Sequence, residues 1–396
     1  MLKLRFQKTL ACGFALLAVF VLVPDSLVAQ RARPSERAVL HIRSAQELEG
    51  AIGEVDRLFA AEFAKSPVGS VTIGVVSGPD LVWTKSYGMA DEERKITANQ
   101  DSVYRIGSIT KQVTGIMLLQ LVEQGKVRLS DPVEKYYPDI KRVANSFPHA
   151  PPITLRDLAT HTSGLDREPG DMPTYTSGRV SAWDKTLLSA VAHTKYAYEP
   201  GTRYFYSNIG YGILGQALGN AAGAPYIRYV QQHILGPLKM TNTAFEQNDE
   251  LVKKLAKGYI VADGVPDPAP SAKELRTGRG YKIPNGALFT TVRDLARFVS
   301  FEMGDGPEVV LKKTTLKENL SRAYSVDGDM KSGYGIGFMM SRKGDLISIG
   351  HGGSVAGYTA GAYFHPDTHV GIIFLRNAGR GFGNDVVMAA LGALSK

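Results

Sequence analysis

The stretch Tyr104-Arg105-Ile106-Gly107-Ser108-Ile109-Thr110-Lys111 decides the fold of this 396-residue chain. An extended segment, 103–107, leads into a predicted helix over 108–124 whose apolar residues occupy most of its faces. Such a helix is typical of a buried element. Because residues three apart share one face of a helix, Ser108 and Lys111 are expected to stand one turn apart.

Ser108 and Lys111 are the residue types of a nucleophile and its base, in the only Ser-x-x-Lys of the chain. A serine hydroxyl needs a base or cation to become a good nucleophile. A lysine in an apolar setting at the positive end of a helix releases its proton more readily and can accept one from the serine. The structural alternative is an N-cap serine followed by a surface lysine, since serine is a favoured cap.

A second motif, Tyr206-Ser207-Asn208, precedes another helical pattern. A tyrosine oxygen beside a lysine can serve as general base and then as general acid to a leaving group. Asn208 is a candidate for holding a substrate carbonyl. The alternative is again a helix cap, because serine and asparagine both favour that position.

The third motif, His351-Gly352-Gly353-Ser354, follows the apolar run 346–349 and is therefore predicted on or beside a strand. Its two glycines would let a substrate backbone approach closely. The Ser354 amide, with that of Ser108, is predicted to form an oxyanion hole. Lys331-Ser332-Gly333 competes for this role, but it is predicted to lie in a polar turn, so His351 is preferred.

Strand patterns occur at both chain ends and helical patterns between them. This distribution predicts an α+β fold: an antiparallel sheet flanked by N- and C-terminal helices, with an inserted all-helical region. The loops 165–185 and 246–285 are expected to shape the acyl pocket. The predicted terminal elements are helices at 44–65 and 383–394 and strand-type runs at 71–76, 81–87, 334–340, 345–350, 355–364 and 369–376.

The N-terminus has the pattern of a secretory signal peptide. Three basic residues precede 14 apolar residues, 10–23, and Ala29 offers a cleavage point. A helix of that length reaches only about 21 Å, short of a hydrocarbon core of about 30 Å. The sequence therefore predicts a signal peptide at 1–29, a linker at 30–43, one catalytic domain at 44–396 and a periplasmic or secreted protein. Retention of the segment as a membrane anchor is the alternative.

The three motifs, in this order, resemble those of the serine β-lactamase and penicillin-binding-protein superfamily, closest to its class C branch with D-alanyl-D-alanine carboxypeptidases, D-aminopeptidases and esterases. The resemblance runs from about residue 45 to the C-terminus. Three further stretches also look family-like: 158–165, 294–298 and 334–338.

The resemblance implies a serine hydrolase that forms an acyl-enzyme on Ser108 and cleaves an amide, ester or β-lactam. It implies Lys111 and Tyr206 as the proton-handling pair. It also implies Asn208, His351, Gly352 and Gly353 in substrate binding, the amides of Ser108 and Ser354 in the oxyanion hole, and no cofactor.

One departure bears on the substrate. The β-lactamases of this family carry lysine at the position assigned to His351, where a fixed positive charge holds a carboxylate. Histidine is mostly neutral at pH 7. Ester or D-peptide substrates, including cell-wall peptides, are therefore favoured over β-lactams. A catalytically quiet member that binds peptides or proteins is the non-enzyme alternative.

Other signals predict no further chemistry. The net charge is +8 without a basic run, so no nucleic-acid partner is expected. The pattern 210–215 spells a dinucleotide fingerprint without its preceding strand. Residues 352–356 lack the last glycine of an α/β-hydrolase elbow. His365 and His369 flank a turn, and Cys12 is the only cysteine, so no metal site is predicted.

Overall fold

The computed structural model describes residues 41–396 except 171, 321, 323 and 326–330, and His41–Lys396 form one compact unit. The predicted signal peptide and most of the linker lie outside the described residues. Among those described, no helix is both long and apolar enough to cross a bilayer.

Thirteen strands are assigned within the described residues. They are β1 Ser70–Ser77, β2 Asp80–Asp91, β3 Ile96–Thr97, β4 Tyr104–Arg105, β5 Ile260–Ala262, β6 Val265–Asp267, β7 Phe289–Thr290, β8 Tyr324–Ser325, β9 Ser332–Tyr334, β10 Met339–Lys343, β11 Leu346–Val355, β12 Tyr358–His365 and β13 Val370–Arg376.

The helices alternate with these strands mainly in the middle of the chain. They are α1 Glu49–Ala64, α2 Thr110–Glu123, α3 Leu155–Ala159, α4 Met172–Tyr175, α5 Trp183–Val191, α6 Asn208–Ala222, α7 Tyr226–Val230, α8 Asp249–Lys254, α9 Ala269–Thr277, α10 Ile283–Gly286, α11 Val292–Met303, α12 Lys313–Leu320 and α13 Asn384–Leu394. Short 3₁₀ helices cover Gly107–Ile109, Val133–Lys135, Pro138–Arg142, Val180–Ala182 and Gly280–Lys282, and a π-helical turn covers Gln231–Leu235.

Both chain ends build one nine-stranded antiparallel sheet, in the order β3-β2-β1-β13-β12-β11-β10-β9-β8. The first strand of the chain, β1, pairs with the last, β13, from Val71 opposite Arg376 to Ser77 opposite Val370. Every residue of β1 and β13 is buried, as expected for central strands with helices on both faces. The predicted antiparallel sheet with terminal helices and a helical insertion is confirmed.

The terminal helices α1 and α13 pack side by side on one face of the sheet. Alternate residues of β1 point to them because side chains of a strand alternate between its two faces. The apolar core of this face comprises Leu48, Ile52, Val55, Phe59, Val71, Ile73, Val75, Val370, Ile372, Phe374, Val387, Ala390, Leu391 and Leu394. The predicted helices 44–65 and 383–394 correspond to α1 and α13.

The helical region packs on the other face of the sheet around α2. All residues of α2 from Thr110 to Leu121 are buried, as its apolar surface predicts. It contacts α6 and α10, and α11 packs directly on β1, β12 and β13. This arrangement brings the start of α2, the start of α6 and β11 to one place in the fold.

One local prediction is wrong. Ser332 and Gly333, expected in a polar turn, belong to β9, which pairs with β10 through Gly333 opposite Met340. Backbone pairing with β10 overrides the turn-like composition of this segment.

Candidate active site

Ser108 lies in the 3₁₀ turn Gly107–Ile109 that leads directly into α2. Neither this turn nor α2 has a side-chain N-cap, so Ser108 does not play the capping role that its position allowed. Its Oγ instead lies 3.2 Å from Nζ of Lys111. The structure thus brings together the two side chains of the Ser-x-x-Lys motif in hydrogen-bonding contact.

Lys111 is completely buried. Its Nζ also donates to Oδ1 of Asn208 and to the backbone oxygen of Asn285, both at 2.9 Å. Burial holds the pKa of Lys111 well below its ordinary value; Glu168 opposes this shift, and three nearby cations reinforce it: Arg167, Lys282 and Arg279. A lysine with a lowered pKa can accept the proton of a serine hydroxyl.

Tyr206 joins this pair from the start of α6. The ammonium of Lys111 lies 4.8 Å from the centre of its ring, and the ring of His161 packs on it at 4.1 Å. Burial raises the pKa of Tyr206, and its contact with the Ser108 side chain opposes that rise. His161 accepts a hydrogen bond from the Ser207 amide at 3.1 Å, so it fixes the segment that carries Tyr206.

The helix-cap alternative for the second motif applies to its middle residue. The Ser207 hydroxyl accepts a hydrogen bond from the Gly210 amide at 3.0 Å and caps α6. Capping by Ser207 leaves Tyr206 and Asn208 on either side of it available to the site. The sequence alone left open which residue of this motif was the cap.

Asn208 connects Lys111 to a carboxylate that the sequence reasoning missed. Its Nδ2 donates to Oε1 of Glu168 at 2.7 Å. The same oxygen accepts from Nζ of Lys282 at 3.1 Å, and Tyr281 donates its hydroxyl to the other oxygen. Burial opposes ionisation of Glu168, but the Lys282 charge and these hydrogen bonds hold its pKa below the ordinary value. Glu168 is thus an anion that fixes the Asn208 amide.

Strand β11 closes the site from the opposite side. Beyond Gly350 it no longer pairs with β10, so one edge of 351–355 is free to face the nucleophile. A Cβ on Gly353 would lie 1.8 Å from the Ile106 carbonyl oxygen and 3.1 Å from the Ser108 nitrogen. This glycine therefore permits close packing of two backbone segments of the protein itself, and not only of a substrate.

The predicted oxyanion hole lies at this contact. Gly107 has φ +52°, and a Cβ on it would lie 2.7 Å from the amide nitrogen of Ser354. The backbone at Ser108 and that at Ser354 are thus in direct proximity. Preorganised amides are the usual stabilisers of a tetrahedral oxyanion. The role of these two amides stays a prediction.

His351 lies on β11 as expected, but its side chain is only 2% exposed. Its Nδ1 donates to the Gly352 carbonyl at 2.5 Å, and its Nε2 lies 3.0 Å from the Tyr334 hydroxyl. Burial lowers the pKa of His351 to about 3, and the Lys111 charge acts in the same direction. The hydrogen bond to the Gly352 backbone has the opposite effect but is outweighed. The imidazole is therefore neutral, and direct substrate contact through it stays a prediction.

Each of the three motifs contributes to one cavity of about 560 Å³, through Ser108, through Tyr206 and Asn208, and through 352–354. The segments 165–185 and 246–285 both contribute to it through four charged side chains that form its charged wall: Arg167, Glu168, Arg279 and Lys282. Other residues that line it are Gly107, Ser108, Tyr206, Asn208, Asn285, Gly286, Gly352, Gly353, Ser354, Thr359, Ala360, Tyr363, Phe374, Gly381 and Phe382. Lys331, His351 and Lys111 are not among the lining residues. In the described part of the chain, no acidic, histidine or cysteine cluster could hold a metal ion.

Comparison with known families agrees with this geometry. The family model described as Beta-lactamase matches residues 55–395. The chain belongs to the β-lactamase family.

Two curated proteins illustrate its relatives. The chain is 28% identical over 332 residues to "Beta-lactamase-like protein 2" of Dictyostelium discoideum, covering 83% of this chain and 59% of that protein. It is 26% identical over 326 residues to "Protein flp" of Staphylococcus aureus (strain MRSA252), covering 82% of this chain and 62% of that protein. The β-lactamase-family chain therefore spans about three fifths of the length of these relatives.

A solved structure supports the fold assignment. The octameric penicillin-binding protein homologue from Pyrococcus abyssi superimposes with a TM-score of 0.72 at 26% identity, over 87% of this chain and 77% of that one. The chain thus has the β-lactamase/transpeptidase-like fold, and the predicted family resemblance is confirmed.

The charged wall is the part of this β-lactamase-family site that sequence reasoning did not resolve. Glu168 and Lys282 are 114 residues apart, and Glu168 lies in a loop whereas Lys282 ends the short 3₁₀ helix Gly280–Lys282. Arg167-Glu168 directly follows the family-like stretch 158–165, which was the one available signal. A single sequence could not indicate that this carboxylate contacts Asn208.

Proposed function

We propose that this protein is an exported serine hydrolase that forms an acyl-enzyme on Ser108. Members of this fold family are generally serine hydrolases, and some are non-catalytic. The observation that supports catalysis is the completely buried Lys111, whose Nζ lies 3.2 Å from Oγ of a partly exposed serine on a cavity wall.

The reaction has two half-reactions. Ser108 Oγ attacks a substrate carbonyl carbon while its proton passes to Lys111, with Tyr206 as the second proton-handling group. The amides of Ser108 and Ser354 hold the tetrahedral oxyanion until the bond to the leaving group breaks and that group takes up the proton. Water then attacks the acyl-enzyme, the same base takes the water proton, and the acid product leaves with Ser108 restored.

The neutral His351 favours esters, which need no carboxylate beside the scissile bond, over β-lactams. A fixed cation at this position would hold a substrate carboxylate, and a buried histidine with a pKa of about 3 supplies none at neutral pH. We therefore expect kcat/KM for simple esters to exceed that for cephalosporins. Efficient cephalosporin turnover at pH 7, unchanged in His351→Ala, would contradict this substrate assignment.

The catalytic proposal is tested by covalent labelling. Intact-mass spectrometry after exposure to a fluorophosphonate probe should show one adduct on the wild type and none on Ser108→Ala. No adduct on either protein would support the quiet, peptide-binding alternative, and an equal adduct on both would implicate another serine.

The export proposal rests on the N-terminal sequence. Mass analysis of the mature protein from the native host should show a chain that begins near residue 30. A chain that retains residues 1–29 would instead support an N-terminal anchor and leave the catalytic proposal unaffected.

A further inference from the structure

The cavity around Ser108 has a second wall with different chemistry. Besides the charged wall, three aromatic side chains line the same cavity and are called the aromatic wall: Tyr363, Phe374 and Phe382. Gly352 and Gly353 lie between this wall and the nucleophile, since Gly353 approaches Ser108 and Gly352 approaches Tyr363.

Two glycines make room for the aromatic wall. Gly352 on β11 pairs with Gly361 on β12. A Cβ on Gly361 would lie 2.3 Å from the Phe374 ring, and one on Gly352 would lie 2.8 Å from the Tyr363 hydroxyl. Because neither glycine has a side chain, both rings approach the sheet closely on the face that carries α1 and α13.

The third ring is fixed by its neighbours. Phe382 makes edge-to-face contacts with Phe374 at 5.2 Å and with Phe59 at 5.1 Å, both with an interplanar angle of 79°. Edge-to-face packing is a favourable geometry for aromatic rings. The aromatic wall is therefore anchored in the core beneath α1 and α13 and presents a preformed surface.

The aromatic wall carries no charge. Burial raises the pKa of Tyr363 to about 12, so this phenol is neutral at physiological pH. Its hydroxyl has no hydrogen-bond partner among the described residues. The surface thus offers apolar contact and one free hydroxyl, whereas the charged wall presents Arg167, Arg279 and Lys282 to the same cavity.

We propose that the aromatic wall is a subsite for an uncharged aromatic group of the substrate, on one side of the bond that Ser108 attacks. Aromatic groups gain both buried area and ring-to-ring contacts on such a surface, while a charged group would lose its hydration there. This assignment rests on the proposed serine hydrolase function and makes aryl-substituted esters the preferred substrate class.

The test uses three esters: ethyl acetate, benzyl acetate with an aryl alcohol side, and ethyl phenylacetate with an aryl acyl side. In Phe382→Ala we expect the kcat/KM ratio of one aryl ester to ethyl acetate to fall about 10-fold relative to the wild type. The ester that responds identifies the side of the scissile bond that contacts the aromatic wall. Phe382→Leu serves the same purpose if the alanine variant does not fold.

Phe63→Ala is the matched control. Phe63 and Phe382 are both half-buried rings beside the Arg376 guanidinium, at 5.7 and 5.2 Å, but Phe63 does not line the cavity. The ratio should be unchanged in Phe63→Ala. The assignment would be overturned if the kcat/KM ratio of aryl ester to ethyl acetate were the same in the wild type and in Phe382→Ala. It would also be overturned if this ratio fell equally in Phe382→Ala and Phe63→Ala.

Binding to Ser108→Ala separates the subsite from the proposed reaction. Ligand-observed NMR should detect contact of this variant with the ring of the aryl ester that responds in the kinetic test, and the contact should weaken when Phe382→Ala is added. Ring binding without turnover by the wild type would contradict the hydrolase and retain the subsite. Turnover without any dependence on Phe382 would contradict the subsite and retain the hydrolase.

Discussion

At the residue scale, the proposed chemistry depends on the pKa of Lys111, which must be low enough for this buried lysine to accept a proton. Burial of Lys111 favours its neutral form, and the Arg167, Lys282 and Arg279 charges add to that effect. Glu168 acts in the opposite direction and also holds the Asn208 amide, whose oxygen accepts from Lys111. Glu168 and Lys282 should therefore tune the same lysine with opposite signs.

This opposition predicts opposite shifts of the pH profile. Because neutral Lys111 accepts the Ser108 proton, the acid limb of kcat/KM should follow the pKa of Lys111. Glu168→Gln removes an anion that raises this pKa, so the acid limb should move to lower pH. Lys282→Met removes a cation that lowers it, so the limb should move to higher pH. Steady-state hydrolysis of one ester from pH 4 to pH 9 measures both shifts.

The groups that face Lys111 from its surroundings define the control for this experiment. They are Ser108, Tyr206, Asn208, Tyr211, Asn285, His161, His351, Arg167, Glu168, Arg279 and Lys282. Glu274 is another carboxylate between two cations, Arg105 and Arg279, but it does not contact Asn208. Glu274→Gln should leave the limb in place. Shifts in the same direction for Glu168→Gln and Lys282→Met would disprove the tuning model.

At the element scale, periodic segments were predictable and contacts between loops were not. The apolar period of 108–124 predicted the buried α2, although the segment begins with a 3₁₀ turn whose first residue, Gly107, has a positive φ. The strand that carries His351 was also predictable. The burial of the His351 side chain against Tyr334 was not predictable, because the alternation of side chains along β11 does not indicate which face of the strand packs on the core.

The packing of α11 on α2 buries a carboxylate outside the site. Glu302 accepts hydrogen bonds from Nε2 of Gln112 at 3.0 and 2.9 Å, with no cation beside it among the described residues. Burial raises the pKa of Glu302 well above its ordinary value. Because the pKa of Glu302 is higher in the folded state than in the unfolded state, protonation of Glu302 favours folding. This contribution to the free energy of unfolding is complete at pH values below the ordinary carboxyl pKa and is lost as the pH rises through the pKa of the folded state.

Glu302→Gln should therefore stabilise the protein, by about 1–3 kcal/mol at pH 8, because it replaces a poorly compensated buried acid with a neutral isostere. The gain should shrink as the pH is lowered to 5. Urea unfolding of both proteins across this range gives the free energies of unfolding. Glu246→Gln, at an exposed position, should change little at any pH. A gain that is independent of pH would show that Glu302 does not titrate in this way.

At the scale of the whole molecule, the two chain ends meet while the middle carries the insertion. Strand patterns at both ends predicted this closure, since β1 and β13 are central neighbours in the sheet. The charged wall was not predictable, because Glu168 and Lys282 meet only after the helical region has folded onto β11. Long-range geometry of this kind leaves no periodic signal in one sequence.

This closure predicts that the chain tolerates a cut in its middle. The β5–β6 hairpin has an exposed turn at Asp263-Gly264, and a protease site inserted there would divide the molecule into two fragments. The first would hold Ser108, Lys111 and Tyr206, and the second would hold β11 and β13. The β1–β13 ladder and the α1–α13 contact join these fragments without the covalent link.

After cleavage, the fragments should co-elute in size-exclusion chromatography, and Ser108 should still form the fluorophosphonate adduct. The uncut insertion variant controls for the inserted residues. The first fragment expressed alone should not react, because it lacks β11 and therefore the predicted amide of Ser354. Separation of the fragments under native conditions would show that the sheet does not hold the ends together. Co-elution without labelling would instead show that the continuous 246–285 segment is needed to position the charged wall.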